Sequence, residues 1–315
     1  MNNLKKLGLT ALAGSLVATS VYAGDMSVTA GASLDYTSKS EGTGNNWSMG
    51  DSVNFNGSGD VEGMEVSLQI ELDGGTYDDY SLKIDTGDMG AVTFSGASKG
   101  VGGLNNYADI VPTAYEEVYD VTDGDDNGVV GNISSTNSFA YNGTFGDFTL
   151  SAFYNPASTS SSSYVIQHDG LMDGLTLGVG TGEVTTTQDE ETVYLKYVTG
   201  GLTFGYQRSE IDFAAAGTSD EESDHYGISF AVNENLTVSA GRQEVEFSGA
   251  SKVDEESTGI SASYTMGGLT IAGHANGTDN QAGGTENEDS KSINRIFVLC
   301  STSLVVSSVS MSCYR

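Results

Sequence analysis

The feature that most constrains this chain is a two-residue period. Met64, Val66, Leu68, Ile70 and Leu72 are apolar at every second position, and Glu65, Ser67, Gln69 and Glu71 fill the gaps. That is a strand with one apolar and one wet face. The alternation returns at residues 28–36, 80–84, 148–154, 193–197, 226–232 and 260–266. No segment carries a helical period. No run approaches the ~18 apolar residues that a membrane-spanning helix needs. Glycine is 42 of 315 residues, near twice the usual ~7%. A helix-rich enzyme would not carry that load at ~1 kcal/mol per interior position.

A finer repeat lies on top of the alternation. An apolar–Thr–apolar triplet recurs around Thr93, Thr149, Thr176, Thr203, Thr237 and Thr270, at steps of 56, 27, 27, 34 and 33 residues. Each copy follows a tight Gly, Asn or Asp turn: 87–90, 146–147, 173–174, 200–201, 233–235 and 267–268. Such turns suit short hairpins. The opposite ends are longer, polar and acidic: 38–47, 158–163, 185–191, 214–224, 248–256 and 276–289. Tight turns at one end and long loops at the other are the signature of a transmembrane β-barrel. With 57–63 as the first of seven tight turns, the ring has about 16 strands. At ~16–18 strands a barrel encloses an aqueous channel.

The step of 56 hides an insertion. Residues 98–136 lose the alternation and follow the fifth strand. They carry Asp109, Glu116, Glu117, Asp120, Asp123, Asp125 and Asp126, with Tyr107, Tyr115 and Tyr119. A loop of this length inside a compact domain is functional or disordered.

Charge and cysteine usage narrow the function. Twelve Lys+Arg against 43 Asp+Glu give a net charge of −31, which leaves no basic patch for nucleic acid. Two Cys cannot staple a secreted domain. Lys5 and Lys6, the apolar stretch 7–17 and the small residue Ala23 read as a cleaved secretory signal over residues 1–23.

The turn and strand Gly87-Asp88-Met89-Gly90-Ala91-Val92-Thr93-Phe94, the long loop after it and the repeated tight-turn Leu-Thr hairpins resemble the general diffusion porins of Gram-negative bacteria, above all the alphaproteobacterial type. The resemblance covers roughly residues 24–292. It implies a trimeric outer-membrane pore for small hydrophilic solutes, seated among outer-membrane lipids and lipopolysaccharide. It also implies that 98–136 folds inward as a constriction loop within a barrel domain of residues 24–293.

Strand parity names wall residues. Lys83 lies between Leu82 and Ile84, and Lys196 between Leu195 and Tyr197, so both lysines face the lumen. Asp35, Glu65, Gln69, Glu71 and His274 fall on the same side. Lys83 and Lys196 opposite Asp109, Glu116, Glu117 and Asp120 would set up a transverse field across the constriction. The competing reading is that they are solvated lumen side chains. The acid excess favours cations near the mouth. Parity puts Arg208 and Arg242 on the lipid side, near the outer strand ends.

Asp123-Gly124-Asp125-Asp126-Asn127-Gly128 opens like a calcium loop. Its twelfth position is Ser134 rather than Glu, and no helices flank it. Calcium held by Asp123, Asp125 and Asn127 is one expectation, and an acidic loop tip is the other. His168, His225 and His274 read as loop or lumen residues. A barrel hydrolase would need a Ser–His pair with an orienting third group, and no catalytic residue is assigned. The runs 189–191 and 254–256 read as solvated loops.

The C-terminus departs from the pattern. Residues 294–315 hold no Gly, Asp or Glu, and they contain both Cys300 and Cys313. Porins of this kind end on an alternating strand and a terminal Phe, whereas this chain ends Ser312-Cys313-Tyr314-Arg315. The shift reads as a frameshift that replaces the closing strand and puts closure in doubt. The alternative to a pore is a secreted or surface acidic, calcium-bound β-solenoid or adhesin.

Overall fold

In the computed structural model, described over residues 24–40, 45–96, 102–121, 126–131, 136–249 and 251–299, sixteen antiparallel strands close into one barrel. They are β1 (Asp25–Lys39), β2 (Trp47–Val61), β3 (Met64–Asp73), β4 (Thr76–Asp85), β5 (Ala91–Ser95), β6 (Ser138–Phe145), β7 (Phe148–Asn155) and β8 (Ser161–His168). The second half is β9 (Leu175–Val184), β10 (Gln188–Thr199), β11 (Leu202–Phe213), β12 (Glu221–Ala231), β13 (Leu236–Phe247), β14 (Glu255–Met266), β15 (Leu269–Asp279) and β16 (Glu288–Leu299). Each strand pairs with its chain neighbours, and β16 pairs with β1. The stacked short repeats of a solenoid are not what these strands form.

The alternation dictates which way each side chain points. Val28, Leu68, Leu82, Ile84, Val193, Phe204, Ile228 and Ile271 are exposed on the outside. Ser151, Ser163, Thr192, Gln207, Ser223, Gln243 and Ser257 are buried on the inside. This inversion of a soluble protein's pattern is what a lipid-facing barrel requires.

The tight turns fall where the sequence puts them. The first is sharper than the span 57–63: β2 runs to Val61, and Glu62 and Gly63 alone make the turn, both with positive φ. The rule of long opposite ends has two exceptions. One is the link from β9 to β10, which is only residues 185–187 because β10 already begins within the expected loop 185–191. The other is the link from β3 to β4. Gly74 and Gly75, both at positive φ, join β3 to β4 directly.

The closing strand crosses the composition shift. β16 runs to Leu299, and its residues 294–299 pair with Asp35 through Ala30 of β1. The ladder therefore closes with six residues from beyond position 293. The signal segment 1–23 and residues 300–315 lie outside the described residues.

Arg208 and Arg242 point outward, as parity requires, and acids of the adjoining strand, with Glu244 of Arg242's own strand, meet them. Arg208 bonds Asp224 at 2.8 Å and also Glu222. Arg242 bonds Glu256 at 3.0 Å and also Glu244. The charged row lies on the outer-loop side of the apolar outward residues Ile228 and Phe230. These exposed pairs contribute little each, about 0–1 kcal/mol. Replacing Ile228 with Lys is expected to destabilise the barrel by ~2–4 kcal/mol, and Arg208→Ala by less than about 1 kcal/mol. Denaturant unfolding in lipid vesicles checks the contrast.

Candidate pore constriction

The loop between β5 and β6 folds into the barrel, as the resemblance implies. It leaves the wall early because β5 has five residues. It then crosses the inner faces of β7 to β15 and returns nearer the outer rim.

Polar side chains on the wall stitch the outgoing path. Gly103 N–H donates to Ser151 Oγ at 2.8 Å, and Leu104 N–H to Ser163 Oγ at 3.0 Å. Gln207 accepts from Ile110 N–H at 3.0 Å and donates to Tyr107 O at 2.9 Å. Ala114 N–H donates to Ser239 Oγ at 2.9 Å, and Tyr115 N–H to Ser261 Oγ at 3.1 Å. Asn276 Nδ2 donates to Glu117 O at 2.6 Å. A buried N–H must find an acceptor, and the wall supplies one at each step.

The return path rests on carboxylates. Gly128 N–H donates to Glu221 and Gly131 N–H to Glu190, both at 2.6 Å, and Asn127 Nδ2 donates to Glu255 at 3.2 Å. Glu190 and Glu255 are 0% and 1% exposed. This corrects the reading of 189–191 and 254–256 as solvated loops. In each run the central acid points inward and holds the loop.

Between the stitches the loop lies directly on a row of glycines. Gly205, Gly227, Gly241 and Gly259 are neighbours across β11 to β14. A Cβ on Gly205 would stand 2.4 Å from Pro112 Cδ, and one on Gly227 would stand 2.2 Å from Val111 Cγ1. Val118 covers Gly241 and Gly259. Leu104 and Val130 of the loop pack with Val165, Tyr194 and Ile211 of the wall. Tyr107 stacks on Tyr194 with centroids 5.7 Å apart.

The acids named from sequence are distributed unevenly. Asp109 is turned to the wall rather than toward the opening: its Oδ2 lies 3.1 Å from His225 Nδ1 and accepts from Tyr119 OH at 3.0 Å, and its Oδ1 accepts from Val111 N–H at 2.7 Å. Burial opposes its charge, yet the His225 contact and the other two bonds hold its carboxyl below the ordinary range. Burial, together with the Asp109 charge, pushes Glu117 up to about 9. Burial and the Glu116 carboxyl raise Asp120 to about 6. So at neutral pH the loop shows fewer charges than its acids suggest.

Lys83 and Lys196 both point inward, but their settings differ. Lys83 bonds Asp85 on its own strand at 2.9 Å. It sits on β4, eight strands from β12 in the ring, so it is across the opening from His225. Lys196 is the neighbour of Gly205, so it stands beside the loop rather than opposite it. Of the calcium triplet, Asp123 and Asp125 lie outside the described residues. His274 has both ring nitrogens against serines, Ser292 at 2.8 Å and Ser290 at 3.2 Å. That arrangement leaves neither nitrogen for an orienting carboxylate. His168 packs against Phe148, with ring centroids 4.3 Å apart.

Solved structures share this architecture. In-vitro folded OmpT, an outer membrane protein of Vibrio cholerae, superposes with a TM-score of 0.69 at 12% identity, covering 89% of this chain and 98% of that one. Its trimer form gives a TM-score of 0.68 at 12% identity over 88% and 99%. A mutant of Rh. blastica porin gives 0.62 at 14% identity over 88% and 100%. No protein-family model and no curated protein sequence matches the chain. What these structures share with the chain is the closed sixteen-strand antiparallel ring: the chain has the general-diffusion-porin fold.

Proposed function

We propose that the protein is an outer-membrane porin that passes small hydrophilic solutes and ions by passive diffusion, with a preference for cations. It would be exported by its signal segment and assemble as a homotrimer, seated among outer-membrane lipids and lipopolysaccharide. It would need no cofactor and perform no catalysis. The observation that carries this reading is the half-filled lumen. The described part of the loop covers β7 to β15, so among the described residues the opening is bounded by the inner wall of β1 to β5. There a space of about 480 Å³ is lined by Asp25, Asn56, Ser67, Gln69 and Lys83, with Met26 and Leu68 at its edge.

The charge of that wall supports the ion preference. Its inward positions include Asp25, Asp35, Glu65, Glu71 and Asp85 against Lys39 and Lys83. Lys83 is already paired with Asp85. A lumen lined by one sign of charge enriches the opposite ion.

Planar-bilayer recording in a potassium chloride gradient tests both parts. Stepwise channels are expected, with a reversal potential on the cation side. The double substitution Glu65→Gln with Glu71→Gln is expected to move that potential toward zero. A zero or anion-side potential in the unsubstituted protein overturns the cation preference. Folded barrels that give no steps overturn the pore.

A further inference from the structure

We propose that Asp109, Glu117 and His225 form a binding site for one divalent first-row transition ion of the zinc type, which clamps the constriction loop to β12. One ligand atom from each of the three residues lies within 4.8 Å of the other two. The three come from separate places: Asp109 and Glu117 from the loop, His225 from the wall. The His225 Nδ1 to Asp109 Oδ2 separation is 3.1 Å. The edge of a tetrahedron with zinc–ligand arms of about 2.0–2.2 Å is about 3.3–3.6 Å, so the pair needs an adjustment of only a few tenths of an ångström to share an ion.

The cluster brings two carboxyls and one imidazole together. Ligand oxygens of Asp109 and Glu117 lie within 4.8 Å of each other, close enough for two like charges to repel unless a cation sits between them. The His225 and Asp109 side chains are 6% and 11% exposed, so water does little to screen them. A divalent ion with two carboxylates and a neutral imidazole makes a neutral group. Its binding would release any proton the three ligands carry.

The surroundings match what a metal centre needs. Both oxygens of Asp109 are oriented, by Tyr119 OH at 3.0 Å and by Val111 N–H at 2.7 Å. Such outer partners fix ligand direction and raise affinity. The Tyr119 ring meets the His225 ring edge-on at 5.7 Å. A hollow of about 10 Å³ touches both Glu117 and His225, room for one water-sized group. An imidazole in the set favours zinc, and calcium and magnesium prefer oxygen alone.

The test uses the folded mature chain in detergent, with Cys300→Ser and Cys313→Ser to remove thiol ligands. Zinc chloride is added, excess ion is removed by desalting, and bound zinc is counted. One zinc per barrel is expected, with an X-ray absorption spectrum showing oxygen and imidazole neighbours. His225→Gln should abolish it. Tyr119→Phe, which leaves all three ligands in place, should weaken binding by about 10–100-fold. Calcium at the same concentration should not displace the zinc. The proposal is overturned by a chain that binds no zinc, or by zinc retained equally in His225→Gln, which would place the ion on the acidic outer loops. If His225→Gln does not fold, unchanged affinity in Tyr119→Phe overturns it instead. Zinc uptake is read without conductance, so its failure leaves the pore intact.

Discussion

Gly227→Val is expected to narrow the pore without unfolding the barrel. A Cβ at this position would stand 2.2 Å from Val111 Cγ1 and 3.2 Å from the Pro112 carbonyl oxygen. The Val111 side chain can rotate, but the Pro112 backbone cannot yield easily because its φ is fixed by the ring. Its neighbour Gly205 already lies under the same proline. The added methyls must therefore lift the loop away from the wall and into the opening. Overpacking of this kind costs about 1–3 kcal/mol, set against loop docking rather than against the strand ladder. Valine itself suits a strand better than glycine. Single-channel conductance should fall and the open-channel noise should rise, with the heat-modifiable gel mobility of the folded barrel unchanged. Gly31→Val is the control. Gly31 faces the lumen on β1, where its Cβ would meet nothing closer than Ser52 Oγ at 3.7 Å. That substitution should leave the noise unchanged. Equal conductance and noise in Gly227→Val and the unsubstituted channel would mean that the loop does not rest on the glycine row.

What the sequence revealed, and what it hid, follow from the same two-residue period. Lys83, Lys196, Arg208 and Arg242 each lie where parity puts them, because lipid on one side and water on the other leave a strand no freedom to rotate. The constriction loop is visible because the alternation stops at its start and resumes at Ser138. The stitches are hidden for the converse reason. An inward Ser that holds the loop, such as Ser239 or Ser261, looks like any other inward Ser until the loop's path is known. The glycine row needs the register of four strands, which no single strand carries. Glu190 shows the limit most sharply. It sits between Asp189 and Glu191 in what reads as one acidic run, yet its neighbours are exposed and it is wholly buried. The run looked like a solvated loop because charge density hid a strand beneath it. Asp109 misled in the opposite direction. Its position in the loop was right, but a histidine more than a hundred residues later turns it to the wall.

Truncation after Ile293 is expected to abolish the folded barrel, whereas truncation after Leu299 is expected to leave it intact. β16 closes the ring, and residues 294–299 supply six of its pairs with β1. Residues 294–297 supply four with β15. Removing them leaves two strand edges open at membrane depth. Each unpaired backbone group there costs several kcal/mol, because hydrocarbon offers no replacement partner. Several such groups together exceed the ~5–15 kcal/mol that separates an ordinary native state from its unfolded chain. The second truncation keeps every strand pair from Asp25 to Leu299. The atypical composition after 293 does not change this expectation. Closure needs backbone N–H and C=O groups in register, and Val, Ile and Phe in this stretch suit a strand. Refolding both chains into detergent and comparing heat-modifiable gel mobility decides the matter. A folded 1–293 chain would mean that the ring closes without those pairs. An unfolded 1–299 chain would place a further requirement in the last sixteen residues.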